Sequence, residues 1–136
     1  MINFPETCLR GLRKPDWIDE NVIQTPAFIP DHRTSETRAD GGQETSINWE
    51  DDAEVEKFTL SNKDNAKFGA ARISISHIQA TSDQTKMVKN PLTYERKPLH
   101  GNDYHGNIVF KADVKKRTVK MLAAALALKS EFVPSQ

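Results

Sequence analysis

The sequence predicts an α+β domain: a twisted, mostly antiparallel sheet of four to six strands packed against one long C-terminal helix, with one or two short helices. Three observations carry this reading. Short β-branched or aromatic runs recur between Gly, Pro and Asn turns, as in Thr45-Ser46-Ile47-Asn48-Trp49, Phe68 to Ile78 and Tyr104 to Phe110. Helical spacing over a long stretch occurs only from Val114 to Phe132. A chain of 136 residues has the size of one domain, 1–136, and can bury roughly two-thirds of its unfolded surface.

Taken in order, Cys8-Leu9-Arg10-Gly11-Leu12-Arg13 reads as a first strand, broken by Pro15-Asp16-Trp17, where a brief helical turn returns Trp17 and Ile18 to the core. Val22 to Ile29 is apolar but punctuated by Pro26 and followed by Pro30, so an extended or edge segment is expected. Residues 31–43 are polar and tipped by Gly41-Gly42, the pattern of a mobile surface loop. In the next strand Thr45, Ile47 and Trp49 alternate inward, Ser46 and Asn48 outward. Asp51 with Glu54 opens a short helix to about Leu60, an analogue of the capping box.

Phe68 to Ile78 has the cleanest alternation, with Ala71, Ile73, Ile75 and His77 on one face and Arg72, Ser74, Ser76 and Ile78 on the other. Ala80 to Tyr94 reads as a polar connection with an irregular strand. Gly101-Asn102-Asp103 then turns into the last strand, which sets Tyr104, Ile108 and Phe110 on one face and His105, Asn107 and Val109 on the other. Asp113 is the expected N-cap of the long helix, and Pro134 its stop signal. Val119, Leu122, Ala123 and Leu126 give its inner face, widened by Met121, Ala125, Leu128 and Phe132. The unbroken apolar run Met121 to Leu128 falls well short of the about 20 residues a membrane span needs.

Nineteen acidic residues balance nineteen basic ones, so net charge selects no partner. The distribution is uneven: Asp40 to Glu56 holds only acids, whereas bases dominate from Lys86 to Lys120. Such asymmetry suits self-association or docking on a charged protein partner, while nucleic-acid binding through Lys111 to Lys120 lacks interleaved aromatics. Cys8 stands alone, which excludes an internal disulfide and a Cys-x-x-Cys motif. With no secretion-signal pattern at the N-terminus, a cytoplasmic location is expected. His32, His77, His100 and His105 show no metal-ligand spacing, so no metal is expected, and no motif implies a cofactor. Ser elbows and phosphate-binding Gly loops are missing too.

If the long helix covers the apolar face, the opposite face collects Ser46, Asn48, Arg72, Ser74, Ser76, His105 and Asn107, with Arg10 joining from the first strand. One Arg or two, a His and several hydroxyl and amide groups are the equipment of an anion or nucleotide site. Gly106 beside His105 leaves room for a close approach.

Leu9-Arg10-Gly11 on a first strand, followed by Thr45-Ser46 on a later one, resembles the opening of the arginine-serine-glutamate type ADP-ribosyltransferases. The resemblance implies that Arg10 and Ser46 hold NAD and that a late Glu-x-Glu supplies the catalytic acid. The late strand here carries His105-Gly106-Asn107 and no Glu-x-Glu. Two functional expectations result. One is a bacterial-type accessory or interaction protein, antitoxin-like or immunity-like, that binds another macromolecule. The other is a small-ligand or nucleotide-binding enzyme using the polar face of the sheet.

Overall fold

The computed structural model describes residues 3–31 and 38–135. Its frame is a six-stranded, wholly antiparallel sheet in the order β6-β7-β4-β1-β5-β8. The strands are β1 (Thr7–Gly11), β4 (Gln43–Trp49), β5 (Ala70–Ser74), β6 (Leu92–Arg96), β7 (His105–Phe110) and β8 (Glu131–Val133). A two-residue hairpin, β2 (Ile18–Asp19) and β3 (Val22–Ile23), is flanked by single 3-10 turns at Pro15–Trp17 and Thr25–Phe28. The helices are α1 (Glu54–Ser61), α2 (Ile75–Gln84) and α3 (Lys116–Lys129). The predicted α+β class, strand content and C-terminal helix are all present.

Alternation decides which side of the sheet each residue serves. Cys8, Trp49, Ile47, Ile73, Ala71, Ile108 and Phe110 face α2 and α3, which return Ile78, Val119, Leu122, Ala123 and Leu126 to the same core. Trp17, Ile23, Ala27 and Phe28 close one end of it. Gly106 faces this side, and its missing side chain makes room for the Trp49 indole, whose Nε1–H reaches past β7 to Glu95 O at 3.0 Å. The space expected for a ligand is therefore filled by a core tryptophan. Cys8 is fully buried, and burial with the nearby Glu50 charge pushes its thiol far up, so it stays protonated and inert.

Several element boundaries differ from the sequence reading for physical reasons. β5 stops at Ser74, whose hydroxyl accepts a hydrogen bond from the His77 backbone N–H at 3.1 Å and caps α2. Ile75 to Ile78 therefore belong to a helix, Ile78 pointing inward while Ser76 and His77 are exposed. α3 begins at Lys116 after Lys115, with no side-chain cap, so Asp113 lies outside its cap position. It ends at Lys129, and Phe132 sits instead on the edge strand β8, opposite Ala71. Met121 and Leu128 are exposed on its outer side, leaving a narrower inner arc than expected. Tyr104 precedes β7 and packs edge-on against Phe58 of α1, away from the main core.

Of the expected surface loop 31–43, residues 32–37, His32 included, lie outside the described residues. The flanks are anchored. Asp31 N–H bonds to Glu44 O at 2.8 Å, and Arg38 donates to Asp40, Glu44 and Glu95 at 2.8–3.0 Å. No helix among the described residues is long and apolar enough to cross a membrane.

Candidate functional site

The face of the sheet opposite α3 is divided in two. Over β1, β5 and β8, α1 covers a second small core of Leu9, Val55, Leu60, Ala66, Ala70 and Val133. Beyond the edge of α1, over β4 and β7, a pocket of about 400 Å³ opens. Cross-strand register builds its floor: Asn48 stands opposite His105, and Ser46 opposite Asn107. Ser46, Asn48 and His105 line the pocket, joined by Phe58 and Thr59 of α1, Asn62 and Asn65 after it, Arg13, and Leu99, His100 and Asn102 of the β6–β7 loop.

That loop is held in place from two sides. Leu99 and Asn102 exchange both backbone hydrogen bonds at 2.9 Å. Asn102 Nδ2 donates to Asn48 Oδ1 at 2.9 Å, and Asn48 Nδ2 donates to Thr59 Oγ1 at 2.9 Å. An amide chain thus ties loop, strand and α1 into one wall, and bonded amides of this kind fix the shape of a pocket.

His105 is fixed just as closely. Its Nδ1 lies 2.7 Å from Lys97 O, and its Nε2 lies 3.2 Å from Ser46 Oγ. A carbonyl oxygen only accepts, so Nδ1 carries the proton. In the neutral ring Nε2 is then the acceptor, and the Ser46 hydroxyl donates to it.

The pocket lies where β1 and β4 part. Their ladder consists of Cys8 opposite Trp49 and Leu9 opposite Asn48. Past it, side chains replace the missing strand bonds: Ser46 N–H donates to Asp31 Oδ2 at 3.2 Å, and Arg10 Nη1 donates to Ser46 O at 3.0 Å. Arg10 also bonds Ala27 O and holds Asp31 through both terminal nitrogens, and it packs on the Trp17 ring. Arg13 stacks on the same ring and shares Asp31 at 2.9 Å, but its side chain is 39% exposed against 4% for Arg10. Burial alone would raise the Asp31 carboxyl; the Arg10 charge and bonds, the Ser46 N–H and Arg13 outweigh it and hold it below the usual range.

The eight predicted site residues thus separate. Ser46, Asn48 and His105 meet in the pocket. Arg10 contributes to its floor, but the guanidinium is committed to Asp31 and two carbonyls, which corrects the expectation of a free ligand arginine. Arg72 is on the predicted face, yet it binds Glu50 through two bonds (2.7 and 2.9 Å) and Glu56, fastening β5 to α1. Ser74 is a helix cap and Ser76 lies exposed on α2, so neither takes part. Asn107 is buried next to the pocket, where Nδ2 donates to Glu95 Oε2 at 2.8 Å and Oδ1 has no partner among the described residues. Sequence reasoning missed Arg13, Asn62, Asn65, His100 and Asn102. Their one legible signal was the polar hairpin tip His100-Gly101-Asn102, shaped by Gly101 at φ +79°.

No group of three or more His, Cys, Asp or Glu among the described residues is placed to hold a metal ion. The chain matches no protein-family model, no curated protein and no solved structure in comparisons with each.

Proposed function

We propose that the protein binds a small anionic ligand of mononucleotide size in the pocket on the outer face of the sheet. One observation carries the reading. In a chain with as many acids as bases, the lining among the described residues holds Arg10, Arg13, His100 and His105 with four asparagines, and no carboxylate. Asp31 offsets one of the two arginine charges, which leaves the exposed Arg13 guanidinium, with the His100 ring, to meet negative charge, while His105, both ring nitrogens engaged, shapes the floor. The side-chain amides and Phe58 supply the hydrogen-bonding and apolar surfaces that a sugar or base needs, and the volume falls within the range of ligand pockets. The transferase chemistry implied by the ADP-ribosyltransferase resemblance gains no support. Arg10 is engaged elsewhere, and among the described residues no glutamate lines the pocket. A reducing cytoplasm goes with this reading, since the lone Cys8 is buried and unpaired.

Thermal unfolding with millimolar adenosine monophosphate, NAD or inorganic phosphate tests the proposal. The anions are expected to raise the melting temperature, adenosine much less, and Arg13→Ala or His100→Ala to weaken the effect. No shift with any of these anions refutes it.

A macromolecular partner remains the second reading, favoured by Met121 and Leu128, 58% and 80% exposed on one side of α3. The charge asymmetry supports it less, because Arg96 pairs with Asp51 and Arg72 with Glu50 and Glu56 inside the chain. Light scattering at low and high salt decides it: a monomer at every salt concentration that also fails to capture a partner counts against it.

A further inference from the structure

We propose that Ser46 is a nucleophile and His105 its general base, so that the pocket hydrolyses small esters or thioesters whose acyl or leaving part carries a negative charge. The inference rests on the anion-pocket reading for its substrate class, and on separate geometry for its chemistry. Ser46 Oγ and His105 Nε2 are 3.2 Å apart, within the reach required of a nucleophile and its base. The opposite nitrogen is locked by Lys97 O at 2.7 Å, which leaves the lone pair of the neutral ring facing the hydroxyl. A third group that fixes tautomer and ring orientation is what separates a working base from an incidental serine–histidine contact. Here the backbone supplies it, and Lys97 is itself pinned: its N–H donates to His105 O at 2.9 Å.

The serine is held as firmly. Both of its backbone groups are taken by the Arg10–Asp31 pair, so Ser46 is fixed at the point where β1 leaves β4 and the floor opens. Both residues of the dyad line the cavity, as do Arg13 and Asn102.

The chemistry balances without any added co-reactant. Ser46 Oγ bonds to the acyl carbon as its proton passes to Nε2. The ester C–O or thioester C–S bond then breaks, and the imidazolium returns that proton to the leaving oxygen or sulfur. Water attacks the acyl-serine, giving one proton to Nε2, and the Oγ–C bond breaks as Oγ takes the proton back. An alcohol or thiol and a carboxylic acid are released. Through the positive charge of the intermediate, the ring keeps the hydrogen bond to Lys97 O.

Diisopropyl fluorophosphate is the probe. Attack by Oγ breaks its P–F bond, leaves one phosphoryl group on the serine and releases fluoride and a proton. Mass spectrometry of the full chain is expected to show a single adduct, mapped to Ser46, absent in Ser46→Ala and formed at least 100-fold more slowly in His105→Gln. The wild-type labelling rate is expected to fall in acid, and that dependence to disappear in His105→Gln. Folding of each variant is checked by circular dichroism, and phosphate binding is measured by NMR on the same samples. Phosphate binding without labelling overturns the dyad and leaves the pocket reading intact. Labelling of Ser46 without phosphate binding supports the dyad and overturns the anion pocket. An adduct on another residue, or one indifferent to His105→Gln, also overturns the dyad.

Discussion

Replacing Arg10 by alanine tests the structural part of the account most severely. The guanidinium is nearly inaccessible, joins β1 to Ala27 O and Ser46 O, and neutralises Asp31, whose side chain is 12% exposed. Removing one partner of such a buried pair leaves the other charge unsolvated, a cost of about 3–5 kcal/mol. Arg13 remains beside Asp31 at 2.9 Å and relieves part of that cost, while two carbonyls lose their donor at about 1 kcal/mol each. A net loss of about 3–4 kcal/mol follows, a large part of the about 5–15 kcal/mol that a domain has in total. Urea unfolding followed by tryptophan fluorescence measures it as a lower midpoint at unchanged slope. Asp31→Ala in the Arg10→Ala background is expected to cost little more, since the two side chains act as a unit. A loss below about 1 kcal/mol, the value typical of an exposed pair, refutes the claim that Arg10 and Asp31 replace the missing strand bonds between β1 and β4.

Other predictions follow from the same contacts. Asp31 and Glu95 both titrate below their ordinary range in the folded chain, Glu95 because Arg38 and Asn107 outweigh its burial. The unfolded state therefore binds more protons as pH falls through about 4, so the melting temperature is expected to hold above that window and fall within it, more gently in Asp31→Asn. A melting temperature flat from pH 6 to 3 contradicts this. Gly106→Ala sets a methyl group against the Trp49 indole and Glu95 O and is expected to cost at least about 2 kcal/mol, partly recovered by Trp49→Phe. Leu126→Ala, fully buried, should cost about 2–5 kcal/mol, and Leu128→Ala, 80% exposed, about 0.5 or less; chemical denaturation of the pair checks which side of α3 faces the core.

The sheet and α3 were legible because their hydrophobic periods are long. Val119, Leu122, Ala123 and Leu126 repeat at helical spacing, and Ile47, Trp49, Ile108 and Phe110 alternate cleanly. α2 escaped notice because the alternation of Ala71 and Ile73 runs by coincidence into Ile75 and His77. The signals against a strand were the capping Ser74 and the inward set Ile78, Thr81 and Ser82 at helical offsets. β8 was hidden because Phe132 keeps helical phase with Leu128 past the cap at Ser130.

The site divides along the same line. Ser46, Asn48 and His105 follow from alternation, which states the face of each residue within its own strand. What brings Arg13, Asn62, His100 and Asn102 to them is the parting of β1 from β4, the hairpin tip and the end of α1. These depend on contacts between distant residues, and no local pattern encodes them. Arg10 shows the converse. The sequence reading has it joining the polar face as a ligand contact, yet Asp31, on a segment without a periodic pattern, is the partner that explains it.

An NMR titration of the isotope-labelled chain with adenosine monophosphate tests the central claim most directly. Saturable shifts confined to the backbone amides of Ser46, Asn48, His100, Asn102 and His105, reduced in Arg13→Ala, are the predicted result. Spectra unchanged at millimolar ligand, or shifts gathered at Lys116 to Lys120 instead, would contradict it.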